Sequence, residues 1–408
     1  MEKYPIGFWN YTGTGDLKNK DVIDWKDLGM SFAMSPEYNP AHSKKQDMID
    51  ILDACEENGL KAIICDSRAR WYGASENPDE YRNRFTDAYE DFGRHPATIG
   101  FHIGDEPSRE IDFKSCITAN KIQLEIAPEL TPFINFLPYW RGIEQSILHF
   151  DTFSEWAAHM ANNGKFKMLC YDCYTQMNPE EEGTDRFFLN LKYYSDAAKA
   201  ANLPLWTTLL SVGHYRYREP DEDDLRWQLS AAAACGCKGI LWFFIYMRAP
   251  MSNYRVSPID EFGERTRTFE SLSRVNRHFL HRFGDFFRDA SLKGTWMTGK
   301  TYGGYKEFKS GEIPGVTAVE SPYGNPGIIS HFELDGKNYI AVVNNTPFES
   351  GAFKIIYGKE IKTVNRLAWN GFVNTKHYDG DAFYSENDGI ITSGDWCAPG
   401  QMNVYQFE

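Results

Sequence analysis

Two short motifs carry the groups best suited to chemistry. The first, His102-Ile103-Gly104-Asp105-Glu106-Pro107, closes an apolar run with adjacent carboxylates. The second, Tyr171-Asp172-Cys173-Tyr174, sets a carboxylate among phenols. A carboxyl at the edge of an apolar segment is partly desolvated, and a neighbouring carboxylate raises its pKa further. It can then hold a proton near neutrality and act as a general acid. Glu106 is the first candidate, because Pro107 biases it away from helical geometry. The alternative for Asp105 and Glu106 is to cap the helix that follows, although Ser108 could do that alone. Asp172 could be a nucleophile, a base or a grip on hydroxyl groups; otherwise it is a buried Asp bonded to a tyrosine hydroxyl. Asp66 and Arg68 could hold a hydroxyl or a charged group, or form a bracing ion pair. His102 and His214 could donate to hydroxyls, or be satisfied structural histidines. Asn135 closes a further apolar run. Trp9, Tyr139, Trp140, Trp242 and Tyr246 offer flat rings for a polar ligand with apolar faces, each equally able to pack in a core.

These residues sit at the ends of a repeated unit. Runs rich in β-branched and aromatic residues begin near Tyr4, Met30, Lys61, Thr98, Thr131, Phe166, Pro204 and Gly239, at intervals of 26 to 38 residues. Helix-like segments lie between and after them, at 43–57, 78–93, 109–126, 144–162, 184–201, 221–234 and 262–286. Apolar strands alternating with helices imply parallel pairing covered by helices. Eight units imply a closed (β/α)8 TIM barrel of about 250 residues. The alternative, a doubly wound open sheet, often carries a Gly-rich phosphate loop after its first strand; neither GxGxxG nor GxxxxGK[ST] occurs. Thr12-Gly13-Thr14-Gly15 reads as a loop.

A barrel of this kind places its active site at the C-terminal strand ends. Trp9, Asp66, Arg68, His102, Asp105, Glu106, Asn135, Tyr139, Tyr171, Asp172, Tyr174, His214, Trp242 and Tyr246 would then share one rim. The expected units are a barrel over 1–290 and an antiparallel β-sandwich over 291–408. The second rests on alternating strands such as GIISHFEL and KNYIAVVNN and on the hairpin dipeptides Asp335-Gly336, Asn370-Gly371 and Asp379-Gly380. Lys293-Gly294 to Gly304 reads as the connection.

The apolar-His-x-Gly-Asp-Glu-Pro ending of strand four resembles that of (β/α)8 glycoside hydrolases. So do the Tyr-Asp-x-Tyr of strand six and the Ala-rich helix leading into Gly236-x-x-Gly239-Ile240-x-x-Phe243-x-x-Tyr246. The resemblance covers about 30–250 as architecture and implies a carbohydrate substrate, with Glu106 as acid/base. In the large retaining clan A, however, strand four ends in Asn-Glu and strand seven supplies a Glu nucleophile. Here strand four ends in Asp105-Glu106. Thr207 to His214 holds no carboxylate, and Glu219 follows five residues later. An Asp-Glu pair is similar to the family 20 N-acetylhexosaminidases, where the substrate's acetamido oxygen attacks, the Asp orients it and the Glu is the acid. A carbohydrate-binding barrel without catalysis is the remaining alternative.

Other chemistries find less support. The ten His form neither HxH nor HExxH, and G-x-S-x-G is absent. No metal or cofactor is expected. The net charge of −14 argues against nucleic acid or an anionic membrane surface as partner. Eight Cys are too few for a disulfide scaffold and read as buried thiols. No apolar run is long enough to span a membrane. Met1-Glu2-Lys3-Tyr4-Pro5 has neither the basic nor the apolar region of a secretory leader. A cytoplasmic protein is expected, or an exported one whose leader lies outside this chain.

Overall fold

The computed structural model describes residues 3–178, 180–247, 253–377 and 382–408. Eight parallel strands open the chain: β1 (Ile6–Phe8), β2 (Phe32–Met34), β3 (Lys61–Ile64), β4 (Thr98–Asp105), β5 (Thr131–Asn135), β6 (Leu169–Asp172), β7 (Leu205–Leu210) and β8 (Cys237–Phe243). They pair in two runs, β2-β3-β4-β5 and β6-β7-β8-β1. The Ser31 N–H donates to the Ile6 carbonyl at 2.8 Å, and that of Phe136 to the Cys170 carbonyl at 2.7 Å. These bonds join the runs and close the barrel.

Side chains alternate across each strand. One set, Phe32, Ile63, Phe133, Cys170, Trp206 and Leu241, fills the barrel. Phe32 of β2 meets Trp206 of β7 across the lumen at 5.1 Å between ring centroids. The other set, including Ile64, Ile134, Tyr171, Leu209 and Trp242, packs outward among the helices. The covering helices are α1 (Val22–Asp27), α2 (Lys45–Glu57), α3 (Pro78–Ala88), α4 (Glu110–Ile126), α5 (Phe153–Asn163), α6 (Glu181–Ala200), α7 (Glu222–Ala234), α8 (Arg267–Phe279) and α9 (Asp285–Asp289).

Helix α1 has no counterpart in the sequence reading, because six residues show too little of a 3.6-residue period. The segment expected as one helix over 144–162 is two. A π-turn covers Glu144–Leu148, and α5 restarts where Thr152 and Glu155 form a capping box.

Among the described residues ten antiparallel strands follow: β9 (Ser291–Thr298), β10 (Val316–Glu320), β11 (Gly327–Leu334), β12 (Lys337–Asn344), β13 (Gly351–Tyr357), β14 (Val364–Ala368), β15 (Gly371–Asn374), β16 (Ala382–Asn387), β17 (Ile390–Cys397) and β18 (Met402–Phe407). Sheets ordered β15-β14-β18-β12-β11-β9 and β10-β13-β17-β16 enclose Ile329, Ile340, Val342, Phe353, Ile355 and Tyr357. The fold is thus a (β/α)8 barrel followed by a β-sandwich.

Asp335 and Gly336 take φ values of 51° and 74°, the positive pair that a type I′ hairpin needs. The turn between β14 and β15 falls on Trp369 and Asn370, and Gly371 of the expected Asn370-Gly371 pair already opens β15. Asp379-Gly380 lies outside the described residues. The expected connection at Lys293-Gly294 is corrected: both lie inside β9, which pairs with β11. Gly294 suits that strand because the Trp296 ring would lie 2.4 Å from a Cβ there.

The two units are packed together. Phe286 and Phe287 of α9 meet Phe332 of β11 at 5.7 and 5.3 Å. Trp227 Nε1 of α7 donates to Asn345 Oδ1 at 2.9 Å. Among the described residues no helix is long and apolar enough to cross a membrane.

Candidate active site

The C-terminal strand ends surround a cleft of two adjoining lobes, about 870 and 270 Å³, both walled by Trp9, Tyr11 and Asp105. The smaller lobe brings together Asp105, Glu106, Asn135, Asp172, Tyr174 and His214.

Successive strand residues face opposite sides, so Asp105 and Glu106 should not share a cleft. They do because Glu106 leaves β4 with φ at 45°. That left-handed conformation is uncommon for a residue with a side chain and costs about 1–3 kcal/mol. The Glu106 N–H donates to the Asn135 carbonyl at 2.9 Å, which fixes the turn. Gly104 completes the local design: the Trp71 ring would lie 2.0 Å from a Cβ there. Neither carboxylate is needed as a cap. Asp112, in the first turn of α4, is gripped by Arg109 at 2.8 Å, and that bond together with the backbone of Ser108 and Arg109 holds its carboxyl below the usual range.

Asn135 organises the other two carboxylates. Its Nδ2 donates to Asp105 Oδ1 at 3.0 Å and to Asp172 Oδ1 at 2.7 Å. The two acceptor oxygens therefore stand at most about 5.7 Å apart, the sum of those bonds. Cys170 Sγ contacts Asn135 Oδ1 at 3.6 Å, which orients the amide.

The electrostatics follow from this crowding. Desolvation holds Asp172 well above the usual carboxylate range; the charges of Glu106 and Asp105 add to the rise and the Asn135 amide opposes it. Desolvation also raises Asp105, against the Asn135 amide and the Arg70 charge. Glu106 has an exposed side chain, yet its carboxyl end stands in the concave lobe. Desolvation there and the Asp105 charge push it up to about 7. Three carboxyls so placed cannot all ionise near neutrality, and the cluster holds a proton.

Aromatic rings line the wall. Tyr174 stacks on Phe243 at 5.4 Å, and His214 on Tyr254 at 5.6 Å. Trp9 meets His102 edge-on at 5.1 Å. Burial, with Arg70 nearby, pushes His102 well below the usual histidine range; burial brings His214 down to about 4. Both rings are neutral at pH 7. His102 lines the larger lobe and His214 the smaller.

Several expected site residues lie elsewhere. Trp242 is corrected to the core: it is fully buried on the outer face of β8 and donates from Nε1 to Asn276 Oδ1 at 3.0 Å. Tyr246 packs against Phe8 and takes a 2.6 Å bond from Trp25 Nε1. Tyr171 stacks on Tyr194 of α6 at 4.2 Å, again on the outer face. Tyr139 packs against Phe153 and Tyr193. Asp66, fully buried, accepts a two-pronged bond from Arg68, which also reaches Asp91 at 2.8 Å. This is the bracing ion pair, and neither member lines a lobe. Glu219 pairs with Arg267 at 3.1 Å and lines neither lobe, so strand seven presents His214 and Tyr215 instead of a carboxylate.

The sequence reading missed Arg70 and Tyr254, and it passed over Tyr11 and Phe243 at the strand ends in favour of their neighbours. Phe243 was legible as the other phase of the alternation in β8. Tyr254 arrives on a loop with no periodicity to follow. Among the described residues no group of three or more His, Cys, Asp or Glu is arranged to hold a metal ion.

No family model matches the chain, and no curated protein matches it. Solved glycoside hydrolases share its fold. A family 42 β-galactosidase from G. stearothermophilus aligns with a TM-score of 0.66 at 8% identity, over 100% of this chain and 98% of that one. A family 5 glycoside hydrolase from Bacteroides vulgatus gives 0.59 at 12% identity, over 99% and 89%. A β-galactosidase from the psychrophilic Marinomonas ef1 gives 0.51 at 12% identity over 67% of this chain, which spans 59% of that protein's length. The chain has a glycoside-hydrolase-like barrel fold.

Proposed function

We propose that the protein is a glycoside hydrolase that cleaves O-glycosidic bonds in the smaller lobe. The observation that carries this reading is the Asp105–Glu106–Asp172 cluster, which retains a proton in an aromatic-walled cleft at the C-terminal rim. Glu106 is the general acid. It is the member open to the cleft, and with a pKa of about 7 it is still half protonated at neutrality. Its proton passes to the glycosidic oxygen as the bond from that oxygen to the anomeric carbon breaks, the bonding pair leaving with the oxygen. In the form of the cluster whose proton sits on Glu106, Asp172 is charged, held by Asn135, and faces the developing positive charge. Water then supplies hydroxide to the anomeric carbon and returns a proton to a carboxylate of the cluster. Trp9, Tyr174 and Phe243 offer stacking faces to the sugar ring.

A second reading has its own support. Asp105 lines both lobes, is held by Asn135 and lies within the field of the Arg70 charge, a setting suited to orienting an acetamido group for substrate-assisted attack. A panel of α- and β-aryl glycosides, with and without N-acetyl groups, tests the assignment. Asp172→Asn should lower kcat at least about 10²-fold, with partial rescue by azide. If Asp172→Asn is nearly silent, Asp105→Asn severe and only N-acetylated substrates react, the substrate-assisted route holds. Sugar binding without turnover of any glycoside would make the barrel a binding protein.

A further inference from the structure

A second cavity, about 380 Å³, opens at the seam between barrel and sandwich, away from the strand-end cleft. Its walls come from the loop after β6, from α7, and from the sandwich loops before β11 and after β12. Seams between packed units are common places for small-molecule sites.

The wall chemistry is unusual in two ways. First, it holds side-chain amides with unmet hydrogen-bonding capacity. Gln176, Asn325 and Asn345 are 5%, 7% and 3% exposed. Gln176 Nε2 donates to Gln228, and Asn345 Oδ1 accepts from Trp227. Yet Gln176 Oε1, Asn325 Oδ1 and Asn345 Nδ2 have no hydrogen-bond partner among the described residues. Buried polar atoms are nearly always paired, and leaving one unpaired costs about 1–3 kcal/mol. Three around one cavity are a set of acceptors and a donor for a ligand rich in hydroxyls. Second, two large rings belong to the same cavity and are left open to solvent: Tyr323 is 70% exposed and Phe348 73%. Exposed rings beside unpaired amides suit a molecule with apolar faces and a polar edge. The charged residues lining the cavity, Glu180 and Glu349, are both acidic, which disfavours anionic ligands.

From these features we infer that the seam is a second carbohydrate-binding site, specific for neutral sugars and separate from the catalytic cleft. It holds a neutral polysaccharide chain against the protein through ring stacking on Tyr323 and Phe348 and amide contacts from Gln176, Asn325 and Asn345. The inference rests on the seam's own chemistry and stands whether or not the barrel hydrolyses glycosides.

Affinity electrophoresis tests it, with native gels containing soluble amylose, β-glucan, galactan, mannan or xylan. At least one should retard the protein. Retardation should persist in Glu106→Gln and Trp9→Ala and fall at least about tenfold in apparent affinity in Tyr323→Ala/Phe348→Ala. Both replaced rings are exposed, so the fold should survive; an unchanged Tm and unchanged turnover of a small aryl glycoside would verify this. No retardation by any of the five polymers overturns the seam site. So does retardation that survives Tyr323→Ala/Phe348→Ala but is lost in Trp9→Ala, which would locate all sugar binding in the cleft. Failure of the hydrolase reading looks different: no aryl glycoside turns over, whatever the gels show.

Discussion

If Glu106 is the acid, kcat/KM must fall on the alkaline side of about pH 7, the value to which the lobe and Asp105 raise it. The sign is fixed by the role, since only the protonated form can donate. Each pH unit above the pKa removes a factor of about ten, so two units above it about 1% remains protonated. The acidic limb belongs to the carboxylate that must be charged, Asp172 in the leading scheme. Glu106→Gln keeps the shape and removes the proton. General-acid assistance is worth about 10²–10⁴-fold, or roughly 3–5 kcal/mol of barrier. The assay compares an alkyl glycoside with a 2,4-dinitrophenyl glycoside, whose leaving group needs no proton. The alkyl substrate should lose the full factor and the activated one far less, and the alkaline limb should vanish from what remains. Equal losses on both substrates, or an alkaline limb that survives in Glu106→Gln, would refute the assignment.

The same carboxylates bear on stability. Raised folded-state pKa values for Asp105, Glu106 and Asp172 mean that the folded protein binds more protons than the unfolded chain. Their stabilising contribution is therefore complete below the unfolded values and is lost as pH rises through the folded ones. Tm should fall between about pH 5 and 8, and Glu106→Gln should flatten the decline; a parallel decline in the variant would show that Glu106 does not contribute. Asn135→Ala removes bonds to two carboxylates, each worth about 1.5–3 kcal/mol. Asp172 should then ionise less readily, shifting the acidic limb upward and narrowing the pH profile; an unmoved acidic limb would count against this. Trp242→Ala should destabilise the protein by about 3–5 kcal/mol while the folded fraction binds sugar with unchanged Kd, whereas Trp9→Ala should raise Kd. The opposite ranking would mean that the facing of β8 has been misassigned.

The barrel was legible because its grammar is long-range and redundant. Eight apolar runs at similar spacing specify one architecture, and the rule that chemistry gathers at the C-terminal strand ends led to Asp105, Glu106, Asn135, Asp172 and Tyr174. What the sequence left open was the phase of alternation. Barrel strands are apolar on both faces, so nothing in Trp242-Phe243 or Cys170-Tyr171 says which member points inward. Trp242 and Tyr171 face the helices, while Phe243 and Cys170 face the lumen. Arg68 and Arg70 lie beyond β3, in and just after a short 3-10 turn where strand alternation gives no guide. Asp66 and Asp91, the latter from the turn after α3, together commit Arg68 to the brace, while Arg70 lines the larger lobe.

Strand seven ties these points together. It ends without a carboxylate, and the nearest one, Glu219, is held by Arg267 off the cleft. In the leading scheme, then, the charge opposite Glu106 has to come from strand six. A lone Asp172 would be too strongly desolvated to ionise easily. Asn135, reaching it from strand five at 2.7 Å, favours the charged form. By holding Asp105 with the same nitrogen, Asn135 also keeps a second carboxylate beside Glu106, which sustains the acid's raised pKa. One amide thereby supports opposite requirements, an ionised Asp172 and a protonated Glu106, and that links the spacing of His102-Ile103-Gly104-Asp105-Glu106-Pro107 to the Asn135 that closes the next strand.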